Sequence, residues 1–365
     1  MPISEQEKFA RIRLLRSGNI GPVTYFQLLA RFGNAVEAIG ALPGLAQRGG
    51  GRTPRLANTD SVKKEMDAAD RADAAYLFHD DAEYPTLLGH MENAPPIFTY
   101  RGNIALLNRQ SVAIVGARNA SAAACKFARK IAHDLAQQGC VIVSGLARGI
   151  DTAAHMGAGP GSIGVIASGI DIAYPPENAE LQETMANGAL VIAEQPPGTE
   201  PLARHFPFRN RIIAGLSAGT LVVEAAPRSG SLITARLAGE AGRDVMAIPG
   251  SPLDPRARGC NTLIRNGATL IQSAENVLEQ IGSIDERLVR EDPRPYELQL
   301  VQTDMELSDT SRRTVENLLN MTAIGTDELV RQSGMPAAEV ATILLELELA
   351  GRLDRHAGAR VSLKP

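Results

Sequence analysis

Apolar residues recur at helical spacing through the first 75 positions, gather into short unbroken runs in the middle of the chain, and return to helical spacing near its end. Phe9, Ile12 and Leu15, then Phe26, Leu28, Leu29 and Phe32, predict helices. Gly18-Asn19-Ile20-Gly21-Pro22 interrupts them and places proline at a helix start. A helix pair around such a turn is either a hairpin that grips a DNA backbone or plain helix punctuation. The Gly-rich stretch 49–54 reads as a loop.

From Leu77 the pattern changes. Ile97-Phe98-Thr99-Tyr100 predicts a strand closed by Arg101-Gly102-Asn103. Further strands are predicted over 112–116, 140–144, 163–168, 189–194, 220–224 and 245–249, with helical patterns such as 122–138 and 232–241 between them. Short, nearly continuous apolar strands are those covered by helices on both faces. The alternation therefore predicts an α/β fold with an extended Rossmann-like, doubly wound, mostly parallel sheet over 76–282. Residues 1–75 form an N-terminal helical domain and 283–305, with Pro293 and Pro295, a linker. In 306–365, Val315, Leu318 and Leu319 mark one helix and Thr326 caps a second. Gly334 and Pro336 separate that helix from a third, and two short strands follow Gly351. This is the outline of a C-terminal winged-helix domain.

Composition narrows the function. A length of 365 residues fits two or three domains, and 44% apolar with 21% charged residues fits a globular protein with a real core. The net charge of −4 is uneven: 11 basic and 11 acidic residues in 1–83, 16 and 15 in 84–282, and 10 and 15 in 283–365. A nucleic-acid site must then be a local patch. Only 6 of the 37 basic residues are lysine; guanidinium forks suit phosphate, but GC-rich coding enriches arginine equally well. Aromatic residues are 4% with no Trp, which argues against rows of stacking rings. Three scattered cysteines predict a reducing compartment, and no signal peptide or membrane span is expected. The six histidines lack paired spacing, so no metal site is expected.

In parallel sheets ligands sit beyond the carboxyl ends of the strands. Gly116-Ala117-Arg118-Asn119-Ala120-Ser121 follows the first core strand, with Asn119 or Ser121 as the helix cap. Ser144-Gly145-Leu146-Ala147-Arg148 follows the second, His205 to Arg211 with Arg209 and Asn210 the fourth, and Arg228-Ser229-Gly230-Ser231 the fifth. Together they predict a cup of N–H groups, hydroxyls and guanidinium forks suited to several phosphates. The second glycine of a dinucleotide fingerprint is replaced by Arg118, and no lysine follows a glycine, so neither NAD nor a P-loop nucleotide is expected; no cofactor is. Asp151 and His155, four apart, and the strand-end Glu194 and Glu224 are either acid–base candidates or, for the first two, a helix cap and a packed imidazole. No serine reads as a nucleophile-elbow residue, so no hydrolase triad is expected.

The strings Tyr84-Pro85-Thr86-Leu87-Leu88, VAIVGAR (112–118), VIVSGLARGIDTAAH (141–155), GIDIAYPPEN (169–178), FPFRNRIIAGLS (206–217), SGSLITA (229–235), GRDVMAIPG (242–250) and GCNTLIRNGA (259–268) resemble, in order, the DNA-processing protein A (DprA/Smf) family. The helical front, similar to a SAM or helix-hairpin-helix domain, and the winged-helix tail match a common family arrangement. The resemblance implies a cytoplasmic, non-catalytic protein that binds single-stranded DNA, protects incoming strands in natural transformation and loads a RecA-type recombinase. It also implies a homodimer formed through the Rossmann domain. Carried over by motif, the DNA contacts are Gly116, Arg118, Ser144, Gly145, Arg209, Asn210, Arg211, Ser229, Gly230 and Ser231.

The chain departs from the family in three places. The helix after His155 runs into Gly157 and Gly159 and is expected to stop early, and Ala122 to Cys125 replace a Tyr-Gly. Pro176 stands where some members have lysine, a cation that is then either missing or supplied by Arg148 or Arg204. The acidic tail predicts a protein-contact or regulatory module rather than a DNA reader. The alternative function is a nucleotide-acting enzyme like the Rossmann phosphoribohydrolases, but residues 229–236 lack that family's glutamate.

Overall fold

The computed structural model describes residues 3–288, 307–356 and 358–364. These fall into two units, one formed by residues 1–64 with 294–365 and the other by 65–293.

The first unit opens with α1 (Glu5–Leu15), whose N-cap Ser4 accepts the Glu7 N–H. In α2 (Pro22–Phe32) proline takes the first helical position, as the Gly-Pro turn predicts. Then come α3 (Ala35–Arg48), capped by Asn34, and α4 (Thr59–Arg71), which runs on into the second unit. Ile12, Leu14, Tyr25, Leu28, Leu42 and Leu45 are fully buried, which satisfies the helical apolar spacing.

The second unit alternates strands and helices. It begins β1 (Ala75–Phe78), α5 (Thr86–Gly89), β2 (Ile97–Gly102), β3 (Ser111–Val115), α6 (Ala122–Gln137), β4 (Val141–Ser144) and α7 (Ile150–Ala158). It continues β5 (Ser162–Gly169), α8 (Ala179–Gly188), β6 (Leu190–Gln195), α9 (His205–Leu216), β7 (Gly219–Val222) and α10 (Gly230–Glu240). It closes with β8 (Asp244–Ala247), α11 (Arg258–Arg265), β9 (Thr269–Leu270) and α12 (Ala274–Leu288). The nine strands run in the order β1-β2-β6-β5-β4-β3-β7-β8-β9. Pairing is parallel from β6 to β9, while β2 is antiparallel to both β6 and β1.

Both faces of this sheet are covered. Ala113, Val115, Val141 and Val143 pack with Ile212, Ala235 and Cys260 from α9, α10 and α11. Their neighbours Val112, Ile114 and Ile142 pack with Ile131, Ile150 and Val277 from α6, α7 and α12. The two-residue strand period sends alternate side chains to opposite helical layers, the doubly wound arrangement predicted. β3 has β4 on one side and β7 on the other, so strand order reverses there and opens a crevice at the carboxyl edge. α7 stops at Ala158, with Gly159 at φ 54°.

Two local expectations differ from the structure. Residues 205–211, read as a loop, are the first turns of α9. Pro207 is tolerated there because N–H groups in the first turn have no intrahelical partner. The expected linker at 283–305 is helical to Leu288, the end of α12; from 289 on it lies outside the described residues.

The C-terminal part of the first unit comprises α13 (Asp309–Leu318), β10 (Ile324–Gly325), α14 (Thr326–Ser333), α15 (Ala337–Leu349), β11 (Leu353–His356) and β12 (Arg360–Leu363). Its sheet order is β10-β12-β11, so the expected two-stranded wing gains a short third strand. The cap of α14 is Gly325, and Thr326 is its first helical residue.

Candidate nucleic-acid interface

The site is built on the carboxyl ends of β3, β4 and β5. Gly116 leaves β3 so close to its neighbours that a Cβ would lie 2.5 Å from the Ile150 side chain. Ala117 N–H donates to the Glu224 carbonyl across the crevice at 2.7 Å. The next residue, Arg118, is exposed at the rim. Ser121 caps α6 by accepting the Ala124 N–H at 3.1 Å. The Ser121 N–H and hydroxyl donate in turn to the Glu224 carboxylate, at 3.0 and 2.7 Å. Glu224 is thus a fastener between the ends of β3 and β7, with both oxygens engaged.

The loop after β4 is held from below. Asp151, on α7, does not cap its own helix; Gly149 occupies the N-cap and no side chain caps it. The Asp151 carboxylate instead accepts the N–H groups of Gly145 and Ala147, at 3.1 and 3.4 Å. It lies 3.9 Å from the Arg209 guanidinium, and both side chains are buried. Burial pushes the Asp151 carboxyl up from the ordinary aspartate range, while Arg209 and the two N–H groups pull it back. His155 packs beneath the same loop. Burial, then the Arg209 charge, lower its pKa to about 3 and keep it neutral. Its Nε2 accepts the Leu146 N–H at 3.3 Å, so the proton sits on Nδ1, 2.6 Å from the Ser162 hydroxyl. Asn178 completes the frame by donating to the Leu146 carbonyl at 2.8 Å.

Above this frame lies a cavity of about 270 Å³, lined by Arg118, Asn119, Gly145, Arg148, Tyr174, Phe206 and Arg209 among others. The Phe206 ring is its hub. The Arg118 guanidinium lies 5.0 Å from the ring centroid, that of Arg209 6.0 Å, and the Tyr174 ring 5.8 Å at an interplanar angle of 58°. Tyr174 and the neighbouring Phe208 are 43% and 55% exposed. At the mouth, the exposed Arg148 pairs with the equally exposed Glu177 at 2.7 Å. Fixed cations beside open aromatic faces suit a ligand with both phosphates and flat bases. Among the described residues no cluster of His, Cys, Asp or Glu is arranged to hold a metal ion, and no helix is long and apolar enough to cross a membrane.

A family model described as DNA recombination-mediator protein A matches residues 75–282, the whole of this sheet and its helices up to the last turns of α12. The chain belongs to that family. Models of a DprA-like N-terminal HHH domain and a DprA winged helix domain match residues 5–68 and 301–359. The DNA processing protein DprA of Streptococcus pneumoniae is 50% identical over 200 residues, covering 54% of this chain and 71% of the relative. Protein Smf of Synechocystis is 35% identical over 318 residues, 78% and 79% of the two chains. Among solved structures, the S. pneumoniae DprA aligns with a TM-score of 0.63 at 38% identity over 77% of this chain and 99% of its own. Helicobacter pylori DNA processing protein A, solved for its single-stranded DNA binding mode, aligns with a TM-score of 0.53 at 28% identity over 59% and 96%.

In this DprA-family chain the residues read from the sequence divide into three groups. Arg118, Gly145, Arg148 and Arg209 line the cavity. Asn210, Ser229, Gly230 and Ser231 form an adjoining group at the start of α10, where Asn210 Nδ2 reaches the Gly230 carbonyl at 3.5 Å and the two serine hydroxyls lie 2.8 Å apart. Gly116, Ser144 and Arg211 are supports. Ser144 is fully buried and donates its hydroxyl to the Ile114 carbonyl at 2.7 Å. Arg211, expected on the rim, is 4% exposed; it donates to the Asn93 carbonyl at 2.6 Å and pairs with Glu194. Both correct the expectation of a hydroxyl and a fork offered to ligand, because internal acceptors use them.

Tyr174, Phe206 and Asp151 are the residues that the strand-end reading passed over as binding elements. Their signal lay in the strings GIDIAYPPEN, FPFRNR and GLARGID. Gly215-Leu216-Ser217-Ala218-Gly219 has G-x-S-x-G spacing without being an elbow. It joins a helix to a strand rather than a strand to a helix, and Ser217 is fully buried with its hydroxyl donated to the Ile213 carbonyl at 3.0 Å. It is no nucleophile.

Proposed function

We propose that the cavity between Arg118 and Arg209 binds single-stranded DNA, with bases laid against Tyr174 and Phe206 and the backbone led past Arg118 and Arg148. The observation that carries this reading is the Phe206 ring flanked by two guanidinium groups and a second ring on an open rim. An unpaired strand presents π-faces to such a surface, whereas a duplex stacks them away. The buried Arg209 Nε has no hydrogen-bond partner among the described residues, so the guanidinium keeps an unmet donor beneath the cavity wall. The group at Asn210 and Ser229 to Ser231 extends the path toward the start of α10, where N–H groups suit a phosphate.

Family membership supports placing this binding in DNA recombination. The chain acts as a mediator rather than an enzyme: it protects incoming single strands during transformation in the cytoplasm and passes them to a RecA-type recombinase, as a homodimer joined through the Rossmann-like unit. A phosphoribohydrolase reading has less support, since Glu224, the candidate acid, is engaged by Ser121 on both oxygens.

The test is binding of the full chain to one labelled oligonucleotide, single-stranded or annealed, across a salt series. Tighter binding to the single strand is expected, with log affinity falling by about 0.7 per log unit of salt for each phosphate neutralised. Equal affinity for both forms, or no salt dependence, contradicts it.

A further inference from the structure

The C-terminal helix-turn-helix formed by α14 and α15 has the outline of a DNA reader, in which the second helix enters the major groove and its first residues meet base edges. α15 is not equipped for that. It begins Ala337-Ala338-Glu339 and carries no Arg, Lys, Asn or Gln along its length. Its charges are Glu339, Glu346 and Glu348, which phosphates repel.

Its burial is equally unusual. Val340, Ile343, Leu344 and Leu347 fill the winged-helix core with Val315, Leu329 and Val361. Leu345, Glu346 and Leu349 lie outside that core, yet are only 3%, 1% and 0% exposed. The N-terminal helices α3 and α2, in the same unit, pack on α15. A Cβ on Gly49 would run into the Glu346 carbonyl, and one on Gly51 into that of Ala350. Gly49 has φ −73°, which any residue adopts, so glycine there serves close approach rather than backbone freedom. Polar groups match across the same contact. Arg48 Nε donates to one oxygen of Glu346 at 2.7 Å and Arg312 Nε to the other at 2.9 Å. Arg352 bridges the Gly49 carbonyl and Glu316, both at 3.0 Å. A carboxylate this buried needs every oxygen met, and one of its two cations comes from the N-terminal helices.

We propose that α15 is an internal docking helix: its second face binds α2 and α3 of the same chain, Glu346 pins the contact, and the winged helix does not read duplex DNA. The two ends of the chain then open and close as one cooperative body. In sequence, the Rossmann-like unit lies between the two parts of that body.

Hydrogen exchange on the full chain tests this. Gly49→Val is expected to speed exchange in both α3 and α15 by about tenfold, leaving β3 to β7 unchanged. Arg48→Met and Glu346→Gln each speed α15 exchange, and the double variant does so by about fivefold less than the product of the two, because both remove one contact. Unchanged α15 exchange in Gly49→Val and Arg48→Met overturns the proposal. Should Gly49→Val unfold the N-terminal helices altogether, the Arg48–Glu346 cycle decides, and multiplicative effects overturn it. Ala337→Glu adds a charge at the exposed start of α15 and is expected to change duplex affinity by less than about twofold. A loss of about tenfold would mean that the helix reads DNA after all.

Discussion

The Asp151 carboxylate lies 3.9 Å from the Arg209 guanidinium while it accepts the Gly145 N–H at 3.1 Å, so one buried side chain sets both the floor and one wall of the cavity. Asp151→Asn keeps the shape but leaves Arg209 without its counter-charge. Removing one member of a buried pair costs about 3–5 kcal/mol. Urea unfolding measures that loss. Single-strand affinity of the folded protein is expected to fall with it, since Arg209 is no longer held.

Gly145 answers to the same geometry. A Cβ there would occupy the space of the Arg209 guanidinium. Gly145→Ala is expected to displace that arginine, destabilise the fold by about 1–3 kcal/mol and weaken single-strand binding. Unchanged binding would place Arg209 outside the interface.

Arg211 gives the opposite expectation. Its partners, Glu194 and the Asn93 carbonyl, lie inside the protein. Arg211→Met should cost about 3–5 kcal/mol of stability, read by urea unfolding, and leave the affinity of the folded protein unchanged. A selective loss of binding would return Arg211 to the rim.

His155 supplies a pH dependence of defined sign. Its pKa falls from 6.5 to about 3 on folding, so the unfolded chain binds the extra proton between those values. Its contribution to stability is complete above about pH 6.5 and is lost as pH falls toward 3, at up to about 1.4 kcal/mol per pH unit. His155→Gln is expected to flatten the stability–pH slope over that window by about one proton. Parallel slopes for parent and variant contradict the buried neutral imidazole.

The parallel strands were legible because β3 to β8 are short, nearly continuous apolar runs, as a sheet covered on both faces requires. The start of α9 was not, because its first turns bury His205, Arg209, Asn210 and Arg211, and the apolar Ile212, Ile213 and Leu216 come only in its second half. The strand-end rule located Arg118, Gly145 and Arg148. It could not separate Arg209, which faces the cavity, from Arg211 two residues later, which does not; only helical rotation decides that. Tyr174 and Phe206 meet from different strand ends, and a 4% aromatic content hides a pair brought together by folding. The packing of Gly49 on Glu346 joins the two chain ends through a contact without compositional signature.

In the proposed complex Phe206 and Arg118 hold an unpaired strand together, one through a base and the other through the backbone. The most direct measurement is single-strand affinity across a salt series for the parent, Phe206→Ala and Arg118→Ala. Phe206→Ala is expected to lose about 1–3 kcal/mol of binding with the salt slope unchanged. Arg118→Ala is expected to lose a similar amount with the slope reduced by about 0.7, the signature of one phosphate. Parent-like affinity and slope in both variants would contradict the cavity as the place where DNA binds.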